Sequence, residues 1–555
     1  METVRGFRAF VLCLATAATG ATALVSSAQA ATRWSAPTVL ATGHHYTLPF
    51  ELKTLADGTS IAVFYDTEPN ANYTHDNGHA DVAVRPPGGS FGLPYELTDP
   101  GQLPIGLVTN FAGDSALFVY TSTGLMLVPR PRGAGFQSVE SLPQGAIADG
   151  YLSENGDLTF TGGPSGGPPW VDTRTADGTY TPPRPIETAP KGWYYGAQPT
   201  VEPNGSITLT GRQGEDSSNV LSVTAPAGGP FGPPETIATH SRSFGGQIKI
   251  AHDARGDTLI AWNGGSASGT FQFGSLHTAY RPAGGHWGAP EQIPGDPFDR
   301  AQDFDLAMNA RGDAVLEWNE LGRTAMSYRS AGGDWEPATQ APQNEETLAW
   351  EPTMDPTLAI GPTGDAIVVY AAGTYRRCLE ALDHPAGAGF QRAEPVLDQD
   401  GRNADLPKVA VGPHGNAIVG WWGNTDANHD PDPGAFWTAS HQISALPANT
   451  PPSVTCFGAA GANGGVVHAA SKGPAAVFYR LSRRARIELR VRRLRRSHYE
   501  TLATLHRRGI KGGNRVVLPS GVARKLAAKG RYQLRIVAID KSGRRSRPRT
   551  LTFKR

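Results

Sequence analysis

One pattern of apolar and polar positions recurs along the chain: an apolar strand, a polar turn ending in Gly-Asp or Gly-Asn, and a second apolar strand closed by an aromatic. The clearest copies run Ile250–Trp262, Leu306–Trp318, Leu358–Tyr370 and Val409–Trp421. In all four the aromatic follows the turn glycine by six residues. Proline suits the first position of a tight turn and glycine the left-handed one, so loops such as Pro362-Thr363-Gly364 predict hairpins. Weaker copies centre on Gly58, Gly113, Gly156 and Gly205. With Gly256, Gly312, Gly364 and Gly415 they make eight anchors spaced 43 to 56 residues apart. That period fits one four-stranded propeller blade.

A second pattern lies between the anchors, as Pro-Ala-Gly-Gly, an aromatic and a proline, at Pro226–Pro234 and Pro282–Pro290. Its aromatics are Phe91, Phe136, Tyr180, Phe231, Trp287, Trp335 and Phe390. It predicts the hairpin from a third strand to an outer fourth strand, where proline is tolerated because the strand is an edge. An aromatic at a fixed place in each repeat is expected to pack between neighbouring sheets.

The two patterns are offset at the ends. Trp34-Ser35-Ala36-Pro37 has the spacing of Trp287–Pro290 before any first pattern has appeared, and the repeat around Gly415 has no second pattern of its own. The expected fold is therefore all-β: an eight-bladed β-propeller closed by an N-terminal strand, which removes open sheet edges. An open stack, or seven blades with a divergent insertion, is the competing arrangement.

After this array comes a Pro-rich stretch, Leu446–Pro452, and then a different pattern. Ile487, Leu489 and Val491 alternate with charges, Arg531–Ile539 reads as another half-buried strand, Asp540–Gly543 as a turn and Thr550–Phe553 as a last strand. The expected organisation is a signal peptide over 1–30, the propeller over 32–446, a Pro/Gly-rich linker over 447–475, and a small basic β-sandwich over 476–555. The leader rests on Arg5 and Arg8, the apolar run that follows, and the small residues at Ser27–Ala31. It implies a secreted or extracellular protein, held at the cell surface, if at all, without covalent attachment.

Composition changes the picture in two ways. Gly 67 and Pro 45 in 555 residues match many tight turns. The net charge of zero hides an asymmetry: residues 476–555 hold 25 Lys+Arg against 3 Asp+Glu, a net of +22, and the rest carries −22. Past the leader only Cys378 and Cys456 remain, enough for one disulfide or for two free thiols.

The array resembles the sialidase-like and lectin-like propellers of secreted proteins, and the C-terminal stretch resembles immunoglobulin-like or fibronectin-like modules. The turn departs from the Ser-x-Asp-x-Gly-x-x-Trp box of sialidases. Asp253-Ala254-Arg255-Gly256 has an extra residue, and other copies put Asn309, Gly361 or Gly412 in the Asp position. No sialidase catalytic residue carries over.

No catalytic constellation stands out. The array's acidic residues guarantee carboxylate pairs by chance, the Asp/Asn of the turn is expected to bond the turn backbone, and Glu317 and Glu380 have no second signal. The loop of Asp426, Asn428, Asp430 and Asp432 places oxygens at alternate positions, which would suit calcium, but it lacks the glycine and terminal glutamate of a helix–loop–helix site. No other cofactor is expected. His75, Asp76, His79 and Asp81 form a looser cluster whose single loop offers no tetrahedral spacing. The basic module is the sharpest feature. Arg490, Arg492, Arg493, Arg495 and Arg496 crowd one strand and its turn, and Arg544 and Arg545 the last hairpin; such a surface either attracts polyanions or is a solvated charged face that docks on the acidic array.

The reading is a secreted, non-catalytic binding protein. Its propeller offers a carbohydrate, envelope or protein surface, and its basic module anchors to an extracellular polyanion or envelope polymer. It is expected to be a monomer, with no specific nucleic-acid partner and no membrane span. The alternative is an extracellular glycoside hydrolase or lyase with a site on the propeller axis.

Overall fold

The computed structural model of the chain describes residues 34–42, 46–67, 78–143, 145–163, 169–189, 197–213, 219–239, 248–264, 275–297, 301, 303–320, 323–341, 356–372, 378–391, 393–396, 403–424, 435–444, 454–461, 474–495, 498–526 and 530–554. The expected leader, the acidic loop holding Asp426, Asn428, Asp430 and Asp432, and Arg496 lie outside the described residues, as do the side chains of Cys378 and Cys456. Within them the chain is all-β apart from the helix Ser520–Lys525 and one 3-10 turn at Pro413–Gly415. No described helix is long and apolar enough to cross a membrane.

The described residues between 38 and 442 form eight four-stranded antiparallel sheets. Sheet one runs Tyr46–Thr54, Ser60–Thr67, Gly78–Arg85 and Tyr95–Glu96. Sheets two to seven repeat this order from Leu103, Ala146, Gln198, Ile248, Asp303 and Thr357. Their fourth strands are short, and two of them, Arg184–Pro185 and Glu394–Pro395, carry the proline that an edge allows. Sheet eight is built differently. Asn403–Val411, Asn416–Asn424 and Ala435–Gln442 supply three strands, and Thr38–Thr42 supplies the fourth, pairing Thr38 with Thr438 and Thr42 with Ala435. Ser35 N–H donates to the Ser440 carbonyl at 2.8 Å, which extends the junction toward Trp34.

The repeated residues explain why the sheets form. All eight anchor glycines take left-handed backbone, with φ between +74° and +105°, which side chains avoid. The aspartate after the glycine ties the two turn patterns together. Asp114, Asp157, Asp257, Asp313 and Asp365 accept the backbone N–H of Arg132, Ala176, Ala283, Ala331 and Ala386 at 2.7–3.0 Å. The residue before the turn caps it: Asn309 Oδ1 accepts from the Arg311 and Asp313 N–H at 3.0 Å, and Asp253 Oδ1 from Arg255 and Asp257 at 2.8 and 3.0 Å. These carboxylates and amides hold turns, as expected.

Apolar faces of successive sheets meet in separate clusters. Leu117 and Val119 of sheet two pack on Ile61 and Val63 of sheet one; Trp318 of sheet six packs on Leu259 and Ala261 of sheet five. Leu52, Ala62 and Phe64 of sheet one pack on Ala410, Ile418 and Phe436 of sheet eight. The second-pattern aromatics reach back onto the preceding sheet. The indoles of Trp287 and Trp335 donate to Ser222 and Thr278 hydroxyls at 2.9 and 3.0 Å. Trp34 does the same from the start of the chain, buried among Ile367, Val369 and Leu379 of sheet seven.

The C-terminal region forms two further sheets. One is Val454–Gly461, Pro474–Leu481 and Gly512–Val517; the other is ordered His498–Gly509, Ala485–Arg495, Arg531–Ile539, Arg549–Lys554. Ile487, Leu489, Val491, Tyr532, Leu534 and Ile536 share one core with Val477, Tyr479 and Val516. Within the stretch 447–475, expected to be a linker that is an irregular connection or a first strand, Val454–Gly461 is a strand paired with Pro474–Leu481. Its glycines and alanines leave no strong apolar alternation to read.

Turn glycines differ in what surrounds them. At Gly364 (φ +86°) an added Cβ would sit 2.6 Å from Arg311 Nη2, 2.9 Å from the Tyr328 hydroxyl and 3.0 Å from Asp313 Oδ2. At Gly387 (φ +71°) nothing lies within 4 Å. Gly387→Ala is expected to cost about 1 kcal/mol for its backbone conformation alone. Gly364→Ala should cost roughly 2–4 kcal/mol, because the clash adds to that conformation. Urea midpoints of the two variants give the comparison.

Candidate functional site

Among the described residues, charge gathers on the first strands of sheets one, five and six and on the outer face of the C-terminal four-stranded sheet.

Glu51 and Lys53 lie on the first strand of sheet one, 3.5 Å apart. Lys249, on sheet five, pairs with Asp305 on sheet six at 3.3 Å. The Lys53 ammonium is held above its ordinary pKa by Glu51, against burial, with Asp305 adding to the pull. First strands of sheets one, five and six thus come within electrostatic reach of one another. Glu317, on the second strand of sheet six, is 2% exposed. Burial pushes its carboxyl well above the usual range, Asp305 and Asp303 push the same way, and Lys249 opposes. Its register partner is Asp305. Two carboxyls on directly paired strands stand side by side, about 5 Å apart at Cβ. Glu380 accepts the Tyr370 hydroxyl at 2.8 Å. The sequence had no second signal for either glutamate because burial and pairing depend on strand register.

Nearer the first turns, the His252 ring of sheet five lies 4.4 Å from Tyr151 of sheet three and 6.0 Å from Phe111 of sheet two, centroid to centroid. Burial pushes His252 down to about 4 and the Tyr151 phenol up. Protonation is therefore easier in the unfolded chain. His252 leaves stability intact above the unfolded imidazole pKa and removes it as pH falls from about 6.5 toward about 4, on the order of 2–3 kcal/mol in all. His252→Phe is expected to flatten that stretch of the acid-stability curve, measured by urea unfolding between those pH values.

On the C-terminal sheet the register sorts side chains by face. Ile487, Leu489 and Val491 point into the core, so Arg486, Arg490 and Arg492 point out. Arg486 pairs in register with Arg508, and Arg490 with Arg535. Arg531, two residues before Gln533, shares that face. Glu488 is the carboxylate among them, meeting Arg490 at 2.7 Å and Arg545 at 3.2 Å. Of the residues expected to bind polyanions, Arg490 and Arg492 lie on this face, and Arg492 also donates to Gln533 Oε1 at 2.9 Å. Arg545 reaches it through Glu488. Arg493 lies over the Tyr532 ring at 5.6 Å, Arg495 pairs with Glu500 at 3.3 Å, and Arg544 donates to Asp540 at 2.7 Å within its turn. Arg508, Arg531 and Arg535 join the face from strands whose order the sequence did not reveal.

Of the looser histidine cluster, His75 and Asp76 lie outside the described residues. His79 and Asp81 alternate on the third strand of sheet one, and Asp66 stands directly across from His79. The Asp81 carboxylate raises the His79 imidazole above its ordinary pKa against burial, and Glu96 and Asp66 add to it.

No known family profile matches the chain, and no curated protein matches its sequence. Among solved structures, a protein of unknown function from Dyadobacter fermentans DSM 18053 is 14% identical, with a TM-score of 0.38, covering 74% of this chain and 99% of that one. A fungal alcohol oxidase solved with copper is 12% identical, TM-score 0.38, covering 94% and 100%. The NanB sialidase from Streptococcus pneumoniae is 11% identical, TM-score 0.34, covering 73% and 69%.

Proposed function

We propose that this is a secreted, non-catalytic binding protein: an eight-bladed propeller closed by its N-terminal strand, carrying an immunoglobulin-like basic module that anchors it to an extracellular polyanion. The observation that carries the anchor is the outward sheet face of Arg486, Arg490, Arg492, Arg508, Arg531 and Arg535, with Glu488 as its carboxylate. Like charges held in direct register weaken a sheet, and Arg490 opposite Arg535 is such a pair; a phosphate or sulfate lying across both removes the repulsion. The ring reading is supported by the pairing of Thr38–Thr42 with Ala435–Gln442 and by the core that sheets one and eight share. The non-catalytic reading is supported by the turn carboxylates being committed to backbone, and by Glu317 and Asp305 standing on one sheet rather than across a cleft.

The test is binding of the full chain to long-chain polyphosphate. Binding is expected near 50 mM salt and should weaken steeply by about 200 mM as counterions compete. Binding that ignores salt, or no binding at low salt, would reject the anchor.

A further inference from the structure

We propose that Asp66, His79 and Asp81 form a binding site for a divalent first-row transition cation, with Zn2+ the best fit. The strands Ser60–Thr67 and Gly78–Arg85 of sheet one pair so that Asp66 faces His79, while Asp81 follows two residues on along the same face. One donor atom from each residue can be chosen so that all three lie within 4.8 Å of one another.

Asp66 and Asp81 are 8% and 9% exposed. Asp81 Oδ1 is sealed from water and meets no hydrogen-bond partner. A buried carboxylate oxygen left this way is costly. Its ion-pair neighbour is His79 Nε2 at 3.4 Å, long for a charge-assisted hydrogen bond. That distance has a second meaning. Two ligands bound to one tetrahedral zinc at about 2.0 Å stand about 3.3 Å apart. The His79–Asp81 edge therefore has the length of a coordination edge.

The donor set selects the ion. Calcium wants six to eight oxygens and magnesium a near-ideal octahedron of them, whereas imidazole beside carboxylates suits zinc and its neighbours. Three protein donors leave a fourth position open to water or to a ligand atom. Because two strands supply the donors, the ion would also staple sheet one, on the same face whose Ala62, Phe64 and Ala83 pack on sheet eight.

The test uses untagged full-length protein stripped with a chelator, then titrated with ZnCl2 by calorimetry and with CoCl2 by visible absorption. One Zn2+ per chain is expected, held against a large excess of Ca2+, with a rise in Tm. Co2+ should give the intense visible bands of a four-coordinate site. Asp81→Asn and His79→Gln should each weaken binding at least about tenfold, with far-UV circular dichroism unchanged. Equal affinity in folded variants would place the metal elsewhere and overturn the proposal, as would displacement by Ca2+. Should both variants fail to fold, the native protein's Co2+ spectrum decides: weak six-coordinate bands or no bands overturn it.

Discussion

Trp34→Ala is expected to destabilise the folded protein by about 3–5 kcal/mol, although Trp34 lies outside every copy of the first repeated pattern. The indole is 5% exposed and packs among Ile367, Val369 and Leu379 of sheet seven. Its ring lies 4.7 Å from that of His441 in sheet eight, and His441 Nε2 bonds Asp383 of sheet seven at 2.6 Å. Removing the indole leaves a cavity between two sheets and loosens the strand that covers Ala435–Gln442. An uncovered strand is a template for association, so aggregation on mild heating should rise as well. Val39→Ala, on the same strand but 42% exposed, should change stability by well under 1 kcal/mol. Chemical denaturation of the two variants separates a keystone from an ordinary terminal strand.

Arg508→Glu, Arg531→Glu and Arg535→Glu together are expected to lower affinity for polyphosphate by more than about tenfold at low salt. The fold should not suffer. Arg535→Glu sets a carboxylate opposite Arg490 in register, converting a cross-strand repulsion into an attraction of roughly 0.2–1 kcal/mol. Arg508→Glu does the same opposite Arg486. Stability equal to or above native, together with weak binding, is the signature of a surface kept cationic for a ligand. A merely solvated face would lose neither binding nor stability.

Much of the array was legible because its turns leave few choices. Left-handed backbone demands glycine, so Gly58 through Gly415 marked the hairpins before any pairing was known. The offset of Trp34 revealed the strand exchange because a second-pattern residue stood where no first pattern preceded it. Other features depend on register, which local pattern does not specify. His79 and Asp81 were visible, but Asp66 joins them only through strand pairing across a connection of ten residues. The basic face was seen as a crowd of arginines along one segment. The arginines that share the outward face come from three strands, and His498–Gly509 has too weak an apolar alternation to be read as one of them. Arg544, expected among the polyanion-binding residues, pairs with Asp540 within its turn, a contact the sequence did not show.

Affinity of the full native chain for long-chain polyphosphate, measured as a function of salt beside the triple Arg508, Arg531 and Arg535 variant, tests the anchoring role most directly. The logarithm of affinity should fall linearly with the logarithm of salt for the native protein, and the variant should bind more weakly with a shallower slope. Identical lines for the two proteins, or a flat native line, would contradict it.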